Sequence, residues 1–172
     1  LLLMALSNKY GSMLLTTGNK SEIAVGYSTI YGDMCGGYNP VKDLYKTRLY
    51  RICEWRNSCH EAWMKGPNGL VIPKSILEKS PTAELRPNQT DQDSLPPYEI
   101  LDSILESLIE NDMPVSEIAK QGHEYNIVKK IEKLVYQSEY KRFQSAPGVH
   151  LTKKSFQLSR RYPIVQNWRD KL

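Results

Sequence analysis

Only one short stretch of this chain, Met13 to Thr17 (MLLTT), reads as a buried β-strand: a continuous apolar and β-branched run stopped by Gly18. The long segments on its C-terminal side are patterned for helices. Residues 41–57 repeat apolar side chains at helical spacing (Val41, Leu44, Tyr45, Leu49, Ile52, Cys53), and Pro40 suits a first turn. Residues 98–110, 115–121 and 125–135 are amphipathic in the same sense, while 1–9 and 72–78 are shorter helical pieces. One strand among about five or six helices is an odd set for a self-sufficient domain. It suits the second half of an α/β domain, a parallel sheet flanked by helices, whose other strands lie upstream. The chain does not begin with Met, and we expect an upstream part.

Chemistry concentrates where the strand meets the next helix, in TTGNKSE (Thr16 to Glu22). Ligands of open α/β sheets sit beyond the carboxyl ends of the strands. Thr17 offers a hydroxyl there, and Gly18 permits close backbone approach. A helix over residues 21–30 is expected to follow, with Asn19 as its cap and Glu22 in its first turn. Glu22 fits two roles on physical grounds. It can complement the helix dipole, or hold a hard cation such as Mg²⁺, which takes carboxylates together with phosphates. The residues alone favour the capping role.

Residues 82–97 (TAELRPNQTDQDSLPP) form a polar, turn-rich stretch of a length that is usually functional or disordered in a compact domain. From Ser145 the chain is an irregular basic and aromatic tail with room for one short helix. Repeats and low-complexity segments are absent from the sequence.

Composition narrows the function classes. No run of about 18 apolar residues is present, and the start, LLLMALSNK, lacks the basic opening and cleavage pattern of a signal peptide. We expect no membrane association and a cytoplasmic setting. Cys35, Cys53 and Cys59 are odd in number and have no CxxC spacing, which argues against a disulfide framework or a zinc site. His60, His123 and His150 are scattered, with no carboxylate partner placed by the sequence. The net charge is +4. Much of the excess lies in the tail, where Arg160, Arg161, Tyr162 and Trp168 interleave basic and aromatic groups as single-strand binders do. The low net charge and the lack of a nucleic-acid motif speak against that function.

Three long strings, in order, carry a resemblance. They are TGNKSEIAVGYSTIYGDM continued by GGYNPVKDLYKT, PTAELRPNQTDQDSLPPYE, and EYKRFQSAPGVHLT with RRYPI. Together they resemble the glutamine-dependent NAD(+) synthetases over essentially the whole chain. The resemblance implies the adenine-nucleotide alpha-hydrolase-like (ATP-pyrophosphatase) fold and an assembly as homodimer or higher oligomer. It implies ATP-dependent amidation of deamido-NAD through an NAD-adenylate. Mg²⁺ is the expected cofactor, and ammonia comes from a separate glutaminase domain. Residue by residue it implies ATP contacts at Thr17, Lys46 and Thr82, and deamido-NAD contacts at Tyr27, Ser28, Thr29, Ile30 and Lys141. Glu22 matches a residue that binds magnesium or the deamido-NAD side, depending on the branch. The stretch 86–97 resembles a mobile segment that covers the site, and Gln92 stands where the family often has Glu. The glycine-rich SGGxDS loop that grips ATP phosphates is absent, as is the glutaminase domain. The chain therefore reads as the C-terminal portion (residues 1–172) of the synthetase domain, inactive alone. The alternative is a non-catalytic module keeping half of the fold. Related amidases of the same fold, such as GMP synthetase-like proteins, are disfavoured by GNKSE and ELRPNQTD.

Overall fold

The computed structural model describes residues 1–79, 81–82 and 90–167. Eight α-helices form among them: α1 (Leu2–Tyr10), α2 (Lys20–Val25), α3 (Lys46–Ser58), α4 (Lys74–Leu77), α5 (Tyr98–Leu105), α6 (Val115–Lys120), α7 (Tyr125–Gln137) and α8 (Glu139–Gln144). A 3₁₀ turn covers Asp91–Asp93, and α5 runs on into a π-helical turn, Glu106–Glu110. The amphipathic pattern of 98–110 and 125–135 is what builds the core. Leu101, Ile104, Leu105 and Ile109 on one side meet Ile118, Val128, Ile131 and Val135 on the other, and Ile23, Ala24 and Val25 of α2 close the cluster. Accordingly α2 packs on α5, α7 and α8, α6 on α7, and α3 on α5. Each fully buried aliphatic side chain contributes about 1.5–3 kcal/mol.

Among the described residues the flanking sheet does not form. The expected strand 13–17 makes one isolated parallel bridge, Leu15 to Tyr38. The Thr16 N–H donates to the Tyr38 carbonyl (2.9 Å) and the Gly37 N–H to that of Leu14 (2.8 Å). A strand needs a neighbour along its whole edge, and here only the short return at 37–38 supplies one. Met13 and Leu15 are left exposed, as are Leu1, Leu2, Leu3 and Leu6 on and beside α1.

Three helix boundaries differ from the sequence reading. Helix α2 stops at Val25, not Ile30, because Gly26 turns the chain at φ 71°. Helix α3 begins at Lys46, five residues after Val41, because the side chains of residues 42 and 43 and the carbonyl of Leu44 are drawn into contacts with distant segments. Helix α8, which the pattern does not announce, occupies Glu139–Gln144. The stretch 82–97 is not structureless where it is described. Asp91 and Leu95 are buried, and a capping box joins Thr90 and Asp93. Residues 83–89, on which part of the mobile-segment expectation falls, lie outside the described residues. In the tail no helix forms within 145–167; Trp168, Arg169 and Lys171 lie outside the described residues.

Gly26 matters doubly. A Cβ there would stand 2.2 Å from the Ser138 hydroxyl and 2.7 Å from its Cβ, at a positive φ that L-residues rarely adopt. Gly26→Ala is expected to destabilise the protein by about 2 kcal/mol. Urea unfolding of wild type and variant checks this, and an unchanged midpoint would refute it.

Candidate active site

The end of the 13–17 run, the start of α2, the turn after it, the start of α3 and one face of α8 enclose an open cleft of about 690 Å³. Thr17, Glu22, Tyr27, Ser28, Thr29, Lys46, Thr82 and Lys141 all line it. Ile30 does not line it, and its carbonyl receives the Cys35 thiol at 3.6 Å. Asp33 and Asp91, to which the sequence reading gave no site role, also face the cleft.

The geometry follows from helix capping. Asn19 accepts the Glu22 N–H (3.1 Å), and Glu22 Oε2 accepts the Asn19 N–H (3.1 Å), a reciprocal capping box. This is the role the residues alone favoured for Glu22. Its other oxygen, Oε1, receives Lys46 Nζ at 2.9 Å. Lys46 is the first residue of α3, and its backbone N–H donates to Ser21 Oγ (2.9 Å). Ser21 Oγ in turn donates to Asp102 of α5 (2.5 Å), which also accepts the N–H and hydroxyl of Thr47. Burial pushes the Asp102 carboxyl above its usual range, against the pull of these donors. One buried carboxylate thus ties the first turns of two helices together, and their side chains meet over the cleft. Lys46 also lies over the rings of Tyr98 (5.3 Å) and Tyr50 (5.8 Å), positions suited to cation–π attraction. The Tyr98 hydroxyl donates to Asp91 (2.6 Å), and burial, then that bond, raises its pKa far above the ordinary tyrosine value.

The opposite wall is held by Lys141. Its Nζ donates to the Gly26 and Ser28 carbonyls, both at 2.7 Å, so it fixes the turn that carries Tyr27, Ser28 and Thr29. The Thr29 N–H donates to Asp33 Oδ1 (2.6 Å), which shapes the next turn.

Two buried cations behind the cleft escaped the sequence reading. Lys20, wholly buried, pairs with Asp43 (2.8 Å) and Glu110 (2.6 Å) and also donates to the Thr152 hydroxyl and the Lys154 carbonyl (2.7 Å). Arg142 pairs with Glu139 (2.6 Å), donates to the carbonyls of Ala24 and Val135, and lies over the Phe156 ring. A lysine inside a capped first turn is ordinarily solvated, so nothing local marks Lys20. Its partners stand 23 to 134 residues away in sequence.

Glu22 is the kind of ligand Mg²⁺ takes, yet both its oxygens are committed, one to the Asn19 N–H and one to Lys46. Among the described residues no group of three or more His, Cys, Asp or Glu side chains could hold a metal ion. The closed arrangement therefore does not fit a free cation. No helix among the described residues is long and apolar enough to cross a membrane.

A family model described as NAD synthase matches residues 1–145. The chain belongs to the NAD synthase family. Within that family it is 64% identical over 169 residues to a glutamine-dependent NAD(+) synthetase of Rhodobacter capsulatus, covering 98% of this chain and 31% of that protein. A glutamine-dependent NAD(+) synthetase of Xanthomonas campestris is 49% identical over 167 residues, 97% of this chain and 29% of that protein. The chain thus spans about three tenths of the length of these curated relatives. Among solved structures, a glutamine-dependent NAD(+) synthetase from Cytophaga hutchinsonii superposes with a TM-score of 0.69 at 21% identity, over 96% of this chain and 26% of that one. That likeness bears on the fold alone.

Proposed function

We propose that this chain is the C-terminal portion of the synthetase domain of a glutamine-dependent NAD(+) synthetase. It forms one wall of the site where ATP activates the carboxylate of deamido-NAD and ammonia then displaces AMP. The observation that carries the reading is the convergence on one cleft of all but one of the residues that the resemblance assigns to the two substrates. The 64% identity to the Rhodobacter protein supports it. The apolar face at Leu1, Leu2, Leu3, Leu6, Met13 and Leu15 fits burial beneath the rest of a parallel sheet, and so supports the portion reading.

In this reading Thr17 and Thr82 give hydroxyl donors to ATP, and Lys46 gives positive charge to its phosphates. Tyr27, Ser28 and Thr29 contact deamido-NAD. Lys141 acts by holding their turn, through its bonds to the Gly26 and Ser28 carbonyls. The amidation needs two anionic substrates aligned and their charge neutralised; it asks for no covalent protein nucleophile. Mg²⁺ enters with ATP. The larger enzyme supplies the phosphate-gripping loop and a glutaminase domain, and is cytoplasmic and at least dimeric.

The test is NAD formation by the full-length protein from deamido-NAD, ATP, Mg²⁺ and ammonium. NAD and AMP are expected in equal amounts. Thr17→Val is expected to raise KM for ATP about tenfold, the loss of one hydrogen bond to a charged group. Failure of the wild-type protein to make NAD or AMP would sink the reading.

A further inference from the structure

We propose that Arg160 anchors a second binding site, which takes a small free carboxylic acid with an apolar body. None of the residues lining it lines the cleft, and it stands independently of the function proposed for the cleft.

Arg160 belongs to the basic and aromatic stretch of the tail that the cleft leaves unused. It is only 6% exposed, and its backbone N–H donates to the Ser155 carbonyl (3.1 Å), which fixes it in a turn. Its guanidinium carbon lies 4.3 Å from the centre of the Tyr162 ring and 5.7 Å from that of Tyr136. Those rings ease the burial of the charge but do not match it. Nε and Nη1 are shut off from water and donate to no acceptor. Among the described residues no carboxylate pairs with Arg160, although Lys20 and Arg142, comparably buried, each have one or more. Arginine does not shed its proton, and a buried charge without a counter-charge is costly. An anion would complete the site. The side chain lines a cavity of about 240 Å³ between α7, the turn at 112–115 and the tail. Leu108, Met113, Pro114 and Val135 give this cavity apolar walls, and Tyr136 and Tyr162 line it beside the guanidinium. Two acids, Asp112 and Glu132, line it as well. Asp112 is paired with Lys154, and Glu132 is buried. Their charge disfavours a phosphate dianion more than a single carboxylate, and the apolar walls call for a carbon body behind it. Guanidinium and carboxylate match in shape and charge. Seating the carboxylate asks for a turn at the end of the Arg160 side chain, and no hydrogen bond of Nε or Nη1 opposes it.

The experiment is calorimetric titration of the full-length protein with cyclohexanecarboxylate, beside its neutral amide and inorganic phosphate. Wild type is expected to bind the acid one to one, and the amide and phosphate at least about tenfold more weakly. Arg160→Gln is expected to weaken binding of the acid by about 10–100-fold, the loss of hydrogen bonds from a charged donor. A thermal melt shows whether that variant folds. Should it not, Met113→Trp, which fills the cavity and keeps the arginine, carries the same expectation. No binding of the acid by wild type overturns the proposal. So does equal affinity for the amide, tighter binding of phosphate, or unchanged affinity in a folded Arg160→Gln or Met113→Trp protein. None of these titrations involves turnover, so they are separable from the NAD-formation test. A protein that makes NAD but does not bind the acid would keep the function and lose this site.

Discussion

Lys20→Met is expected to destabilise the full-length protein by about 3–5 kcal/mol, the usual result of removing one member of a buried ion-pair network. The size follows from what remains. Asp43 and Glu110, both nearly inaccessible, would face each other's surroundings without a cation. The Tyr45 hydroxyl (3.0 Å) and the N–H groups of Leu151, Thr152 and Lys154 (all 2.7 Å) would still donate to them, but donors do not replace a full charge. The pH dependence is a second readout. Burial alone would raise both carboxyls, but in the intact protein Lys20 outweighs it with the help of backbone donors, and both titrate below their ordinary values. Groups held low in the folded state contribute stability that is present above the unfolded value, near pH 4. It is lost as pH falls through the lowered folded values. Without Lys20 the burial effect prevails, and the acid loss should begin at higher pH. Unfolding midpoints measured between about pH 3 and 8 check both statements. A variant as stable as wild type, with the same acid limb, would mean that the network contributes nothing to stability.

Lys46→Met is expected to lower kcat/KM for ATP by about 10²–10³-fold, the loss typical of deleting one preorganised electrostatic contact in a site. Only two lysines line the cleft among the described residues, and Lys141 is engaged with two carbonyls. Lys20 lies behind the wall with its charge met by two carboxylates. In the proposed reading neither can take over at the phosphates. Steady-state kinetics of the full-length enzyme, beside a thermal melt to confirm folding, provides the check. A variant within a few-fold of wild type would remove Lys46 from the phosphate.

Much of this architecture could be read before any coordinates. Local rules suffice where the determinants are local. Asn19 and Glu22 announce α2 by capping chemistry, and the periodicity of 98–110 and 125–135 gives the two helices that make most of the core. The reading loses accuracy where long-range contacts override local preference. Residues 41–45 have helical spacing, yet they are pulled out of α3 by Lys42, Asp43 and Leu44, whose partners lie in other segments. The strand at 13–17 has the composition of a strand but lacks a neighbour long enough to pair with. For the cleft, the resemblance supplied the residues and the geometry brought all but Ile30 together. What neither provided was how they are held: Asp102 between two helices, Lys141 on the 26–28 turn, Lys20 and Arg142 behind. Buried charges of this kind are invisible one residue at a time, since each is ordinarily a surface group and becomes structural only through a remote partner.

The grip of Thr152 and Lys154 on Lys20 bears on the order in which the protein acquires its shape during synthesis. Lys20 emerges from the ribosome well over a hundred residues before the groups that complete its surroundings. Until then α2 cannot bury its first turn without an incompletely matched ammonium. The wall behind the cleft is consequently among the last features to mature, and a nascent chain that ends before Thr152 would leave the Lys20 ammonium short of two of its partners.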